Sequence, residues 1–188
     1  VFVDLGSGVG KLVMQAYLEL PRISRSIGIE LSPMRHQSAV AAWDQLESLA
    51  KEMRNNIIDH IDDNKATTAA GNVIPDATVE LVEGDFLQAD LSNATHLFVS
   101  SLCFSEEMMY QLGTKLEQEK PANLHCVASL RRFSNDFERK GILDRKSYQV
   151  VWKTFGLLHR IEYVEMSWTQ RQGQGCVVHV YTKPPVTP

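Results

Sequence analysis

The chain has 188 residues, 44% of them apolar, and its 19 basic and 23 acidic side chains leave a net charge of −4. That length suits one domain with a sizeable core, and no apolar run nears the roughly 18 residues that span a bilayer, which excludes a membrane-spanning helix. Cys103, Cys126 and Cys176 make neither a disulfide framework nor a CxxC metal pattern and fit a reducing compartment, while the mild acidity argues weakly against tight non-specific DNA binding by this segment.

Val1–Leu5 is a near-continuous apolar run ending in glycines, which predicts a buried parallel strand. An apolar strand at the first residue, with no initiator methionine and no signal-peptide pattern, predicts that further chain precedes Val1 in the parent protein. Lys11–Leu20 reads as a helix and Ser26–Glu30 as a short strand. Ser32 suits an N-cap with Pro33 at the first helical position. Beyond it Trp43, Leu46, Ala50, Met53, Ile57 and Ile61 recur every three or four residues, so a long amphipathic helix is expected. Residues 64–77 are polar and punctuated by glycine and proline, as in a surface loop.

Thr78–Glu83 and His96–Val99 predict the next strands. Ser105 caps a helix whose first turn carries Glu106 and Glu107, well placed against the helix dipole. Leu124–Leu130 reads as a fifth strand, and residues 131–147 as charged and irregular. Arg160–Trp168 and Cys176–Thr182 form a terminal hairpin about a Gly/Gln-rich turn at 170–175. Residues 1–183 make one domain and 184–188 a linker-like tail. Alternating strands and helices imply an α/β fold: an open, mostly parallel sheet with helices on both faces, closed by the antiparallel hairpin.

The strongest local signal is Asp4-Leu5-Gly6-Ser7-Gly8-Val9-Gly10, a glycine turn between a strand and a helix. The spacing is GxGxG; a dinucleotide fingerprint would need glycine where Lys11 stands. A carboxylate at Asp4 repels a diphosphate and attracts a cation. S-adenosylmethionine, with an ammonium, a sulfonium and no phosphate, meets both conditions. Glu30 ends the second strand about 20 residues on, where a carboxylate accepts from ribose hydroxyls. Glu83-Gly84-Asp85-Phe86 ends the third strand; there Asp85 can accept from an adenine amino group and Phe86 can stack on the base.

With those residues in hand, the chain resembles the disruptor-of-telomeric-silencing (Dot-one) family, the non-SET histone H3 lysine methyltransferases. The resemblance covers most of the chain. It rests on the glycine turn, Gly28-Ile29-Glu30, Glu83-Gly84-Asp85-Phe86, Phe98-Val99 leading to Phe104-Ser105-Glu106, and Ser167-Trp168-Thr169. It implies a Rossmann-like class I methyltransferase fold of the seven-stranded type, S-adenosyl-L-methionine as cofactor, a histone or nucleosome substrate and a nuclear location. Asp4, Gly6, Gly8 and Gly10 would hold the methionyl end, Glu30 the ribose, and Asp85 and Phe86 the adenine. DNA contact would be indirect or lie in regions outside this segment.

Two stretches depart from the family pattern. Ser100-Ser101-Leu102-Cys103-Phe104 replaces an Asn-Asn-Phe-Ala-Phe type of segment, and Gly175-Cys176-Val177-Val178 stands where the family carries adjacent tyrosines. The cofactor half is retained and the substrate half is altered. Methyl transfer from a sulfonium is an in-line displacement that needs a positioned, desolvated nucleophile. A lysine must first lose its proton, and an apolar channel lowers its pKa from about 10.4. Trp168, Phe104 and Leu102 suit the channel wall, although large apolar residues also suit an ordinary core, and Ser100 and Ser101 suit its hydrogen-bonding rim.

The six histidines are scattered without HxxxH or HExxH spacing, so no metal is expected. Arg131-Arg132 and Arg139-Lys140 read as a solvated face or a modest docking patch. Three functional readings stay open: a histone lysine methyltransferase, a class I methyltransferase acting on another protein or a small molecule, and a silent domain kept as a binding module. Three acids about one pocket count against the last.

Overall fold

The structure, a computed structural model, describes residues 1–20, 22–60, 78–144, 147–165 and 175–184. In chain order the elements are β1 (Phe2–Leu5), α1 (Lys11–Glu19), β2 (Arg25–Glu30), α2 (Pro33–His60), β3 (Thr78–Glu83), β4 (His96–Val99), a 3-10 turn (Ser101–Cys103), α3 (Glu106–Glu119), β5 (Cys126–Ser129), β6 (Glu138–Asp144), β7 (Ser147–Trp152), β8 (Leu157–Val164) and β9 (Cys176–Thr182). The nine strands form one sheet in the order β3-β2-β1-β4-β5-β9-β8-β7-β6. β1 to β5 pair in parallel, and β9, β8, β7 and β6 follow antiparallel. Strand order reverses between β1 and β4, so a crevice opens at their carboxyl ends.

Strand alternation assigns the two faces. Register pairs Phe2 with Ser26 and Asp4 with Gly28, putting Asp4, Ser26, Gly28 and Glu30 on the α1 side. There the Ser26 hydroxyl donates 2.7 Å to the Val13 carbonyl, and a Cβ on Gly28 would stand 2.7 Å from Val13, so helix and sheet touch only because residue 28 is glycine. Val3, Leu5, Ile29, Leu97, Val99 and Val127 point the other way and pack with Met109, Leu112 and Leu116 of α3. The Ser105 hydroxyl caps α3 by accepting from the Met108 amide.

Residues 131–147 differ from the irregular segment expected. They hold β6 and the start of β7, a hairpin that extends the expected seven strands to nine, paired from Glu138↔Trp152 to Asp144↔Ser147. Charges at Glu138, Arg139 and Lys140 suit an outermost strand, which proteins keep from pairing further with charge. The Glu138 side chain is nonetheless only 3% exposed. It accepts from Arg132 and, at 2.7 Å, from the Tyr181 hydroxyl, which in turn accepts from the Phe133 amide. Above this hub Phe133 packs on Trp152 with ring centroids 4.6 Å apart. Leu124–Leu130 shortens to β5. The expected loop at 64–77 lies outside the described residues, as do Ile61 and most of the 170–175 turn.

Candidate functional site

The turn after β1 needs its glycines for conformation. Gly6, Gly8 and Gly10 have φ of 77°, 58° and 74°, in the left-handed region. Gly6 and Ser7 amides both donate to the Ile29 carbonyl, at 2.9 and 3.1 Å, which ties the turn to β2. A Cβ on Gly8 would meet nothing within 4 Å, so its backbone borders open space; one on Gly6 would touch Phe104 at 3.4 Å.

Glu30 is 6% exposed. Its Oε2 accepts 2.8 Å from the Gly8 amide and its Oε1 accepts 2.9 Å from the Ser32 amide. Arg35 Nη1, on the first turn of α2, stands 3.8 Å from Oε1. Asp4 is 3% exposed, and its Oδ1 has no hydrogen-bond partner among the described residues. Burial, and then the neighbouring Glu30 charge, push its carboxyl up to about 7.

A cleft of about 500 Å³ opens at the strand ends, bordered by Gly6, Glu30, Phe86, Ser100, Leu102 and Phe104. Phe86 and Phe104 stack with centroids 5.1 Å apart and planes 14° from parallel, so the expected adenine side and acceptor side share a wall. Asp85 is outside this lining and closes its own turn, Oδ1 accepting 2.9 Å from the Leu87 amide. Arg35, Cys103 and Met108 also border the cleft. The position of Arg35, in the first turn of the helix after β2, is the sequence signal that marks it.

The expected serine pair divides. Ser100 faces the cleft. Ser101 is fully buried, its hydroxyl 2.9 Å from that of Ser129 and accepting 2.9 Å from the Arg131 amide. It therefore ties the ends of β4 and β5 together instead of forming a rim. Of the basic stretch, Arg132, Arg139 and Lys140 are exposed and Arg131 is partly so, while Arg131 donates to the Phe104 carbonyl and Arg132 to Glu138. Trp168 and the Ser167-Trp168-Thr169 turn lie outside the described residues.

This architecture is that of the class I S-adenosylmethionine-dependent methyltransferases. The methyltransferase domain of bacterial CtHen1-CN is similar with a TM-score of 0.53 and 14% identity, over 96% of this chain and 89% of that one. An RNA methyltransferase from Salinibacter ruber, solved in complex with S-adenosyl-L-homocysteine, aligns with a TM-score of 0.48 and 21% identity, over 100% of this chain and 82% of that one. Residues 1–180 match the model of the family described as "Histone methylation protein DOT1". The chain belongs to that family and is an S-adenosylmethionine-dependent methyltransferase. No curated protein matches it, and no described helix is long and apolar enough to cross a membrane.

Proposed function

We propose that this protein methylates a lysine side chain of a histone, in the nucleus. Family membership over residues 1–180 carries the histone assignment. The cofactor side is supported by the orphaned Asp4 Oδ1 beneath a glycine turn open at Gly8. A buried carboxyl without a partner costs stability; a fold kept only for packing gains nothing from it, whereas a cationic ligand supplies what it lacks.

In this reading Asp4 and the backbone of Gly6, Gly8 and Gly10 hold the methionyl end of S-adenosylmethionine. Glu30 keeps lone pairs free for ribose hydroxyls after its two amide bonds. Asp85 accepts from the adenine amino group and Phe86 packs on the base. The bound cofactor supplies an electrophilic methyl group on a sulfonium. Leu102, Phe104 and Met108 make the cleft wall apolar beside Ser100, so an entering lysine loses water and more readily its proton. Turnover then rises with pH above neutrality, because the neutral amine is the nucleophile.

The test is incubation with labelled S-adenosylmethionine and nucleosomes, free histones and cell lysate in parallel, followed by mass spectrometry of the product. Methyl-lysine in histone is expected. Ser100 in place of a family asparagine at the cleft favours a second reading, a protein or small-molecule acceptor of another kind. Label confined to a small molecule, or to arginine or glutamine side chains, overturns the lysine assignment in its favour.

A further inference from the structure

Two carboxyl groups lie beneath the glycine turn in unequal surroundings. Glu30 receives donors at both oxygens, from the Gly8 amide at 2.8 Å and the Ser32 amide at 2.9 Å, with the Arg35 guanidinium 3.8 Å away. Asp4 Oδ1 has no donor among the described residues, and Asp4 is as buried as Glu30. Neighbouring carboxylates withdrawn from water do not both ionise readily. Glu30 has its donors and Asp4 Oδ1 has none, so the proton resides on Asp4.

The surroundings of Asp4 offer little to change that assignment. Its register neighbours are Gly28 on β2 and Phe98 on β4, both uncharged. Glu30 is the charged group that acts on it, and Arg35 from α2 bears on Glu30. The shift to about 7 agrees in direction and has burial as its first cause.

We propose that binding of the cofactor's α-ammonium group expels the proton of Asp4 to solvent, making Asp4 a proton-coupled determinant of cofactor affinity. The inference rests on the cofactor reading above. The O–H bond of Asp4 breaks, its electron pair stays on the carboxylate, the proton passes to buffer, and the ammonium keeps its three protons. A neutral acid is thereby exchanged for an ion pair in a dry site, where opposite charges attract strongly. S-adenosylmethionine and S-adenosylhomocysteine both carry the ammonium, so both expel the proton. Affinity falls by up to about tenfold per pH unit below neutrality, as for any ligand that competes with one proton.

The experiment is calorimetric titration of the full chain with S-adenosylhomocysteine, which binds without turnover. At about pH 6, titrations in phosphate and in imidazole, buffers of different ionisation enthalpy, count the protons released; close to one per ligand is expected, falling towards zero by about pH 8.5. An analogue lacking the α-amino group should release none. Asp4→Asn, nearly isosteric, should abolish the release and flatten the affinity profile. Should that variant not fold, the two-buffer comparison and the analogue decide on the unaltered protein. Binding without proton release near pH 6, or release that persists in Asp4→Asn, overturns the proposal. Failure of S-adenosylhomocysteine to bind at any pH overturns the cofactor reading itself.

Discussion

The carboxylate of Glu30 accepts a 2.8 Å hydrogen bond from the amide of Gly8, 22 residues earlier in the chain. One side chain thus braces the glycine turn from the second strand, and its other oxygen holds the Ser32 amide at the entry to α2. Glu30→Ala is expected to lower cofactor affinity about tenfold or more. It should also lower thermal stability without ligand by roughly 1–3 kcal/mol, since two amides lose their acceptor. Calorimetry and melting curves separate the two effects. A variant that melts and binds as the parent does would refute both roles.

Asp85→Ala should behave differently. Its carboxylate closes a local turn to Leu87, so melting moves by less than about 1 kcal/mol. Affinity for S-adenosylhomocysteine still falls about tenfold if Asp85 meets the adenine. Unchanged affinity in the same titration removes it from the cofactor contacts.

Asp4 links stability to pH. Its carboxyl is raised in the folded chain, from 3.8 to about 7, so the folded form keeps the proton that the unfolded form has lost. That contribution is fully present below about pH 4 and is lost as pH rises through about 7. Without ligand, the stability difference between the parent and Asp4→Asn should shift against the parent between about pH 5 and pH 8, by up to a few kcal/mol. Denaturant titrations at the two pH values measure it, and a constant difference contradicts the shift.

Ser101→Ala should cost about 1–2 kcal/mol of stability, because it removes contacts to Ser129 and the Arg131 amide. Cofactor affinity should stay within about twofold. Ser100→Leu should do the reverse, narrowing the cleft while leaving the melting temperature near that of the parent. Melting and binding measured on both variants check the division between the two serines.

Glu138→Ala should destabilise by roughly 2–3 kcal/mol, the loss of hydrogen bonds to a buried carboxylate, since the half-exposed Arg132 left behind can turn to water. The variant leaves Arg132 and the buried Tyr181 hydroxyl without their acceptor. Tyr181→Phe removes the bond to Glu138 and the weaker one from the Phe133 amide but leaves Arg132 paired, and should cost about 1–2 kcal/mol. Chemical denaturation of the two variants tests the ranking.

Much of this protein is written locally. Thr78–Glu83, His96–Val99 and the Ser105 cap fall where apolar runs and a capping residue place them, because strand burial and N-capping depend on residues a few positions apart. The glycine turn is equally legible, since left-handed φ at Gly6, Gly8 and Gly10 all but demands that residue type. Family membership was legible for the same reason: its motifs are short and ordered along the chain. The β6–β7 hairpin was not. Glu138 looks like a solvated charge until Arg132 and Tyr181, the latter 43 residues away, supply the bonds that bury it. Nor could adjacent serines be told apart before the 3-10 turn after β4 sent Ser100 to the cleft and Ser101 into the sheet. The proton between Asp4 and Glu30 is decided in the same way. Sequence placed both acids near one turn, but Asp4 keeps its proton because the folded backbone brings amide donors to Glu30 and withholds them from Asp4 Oδ1.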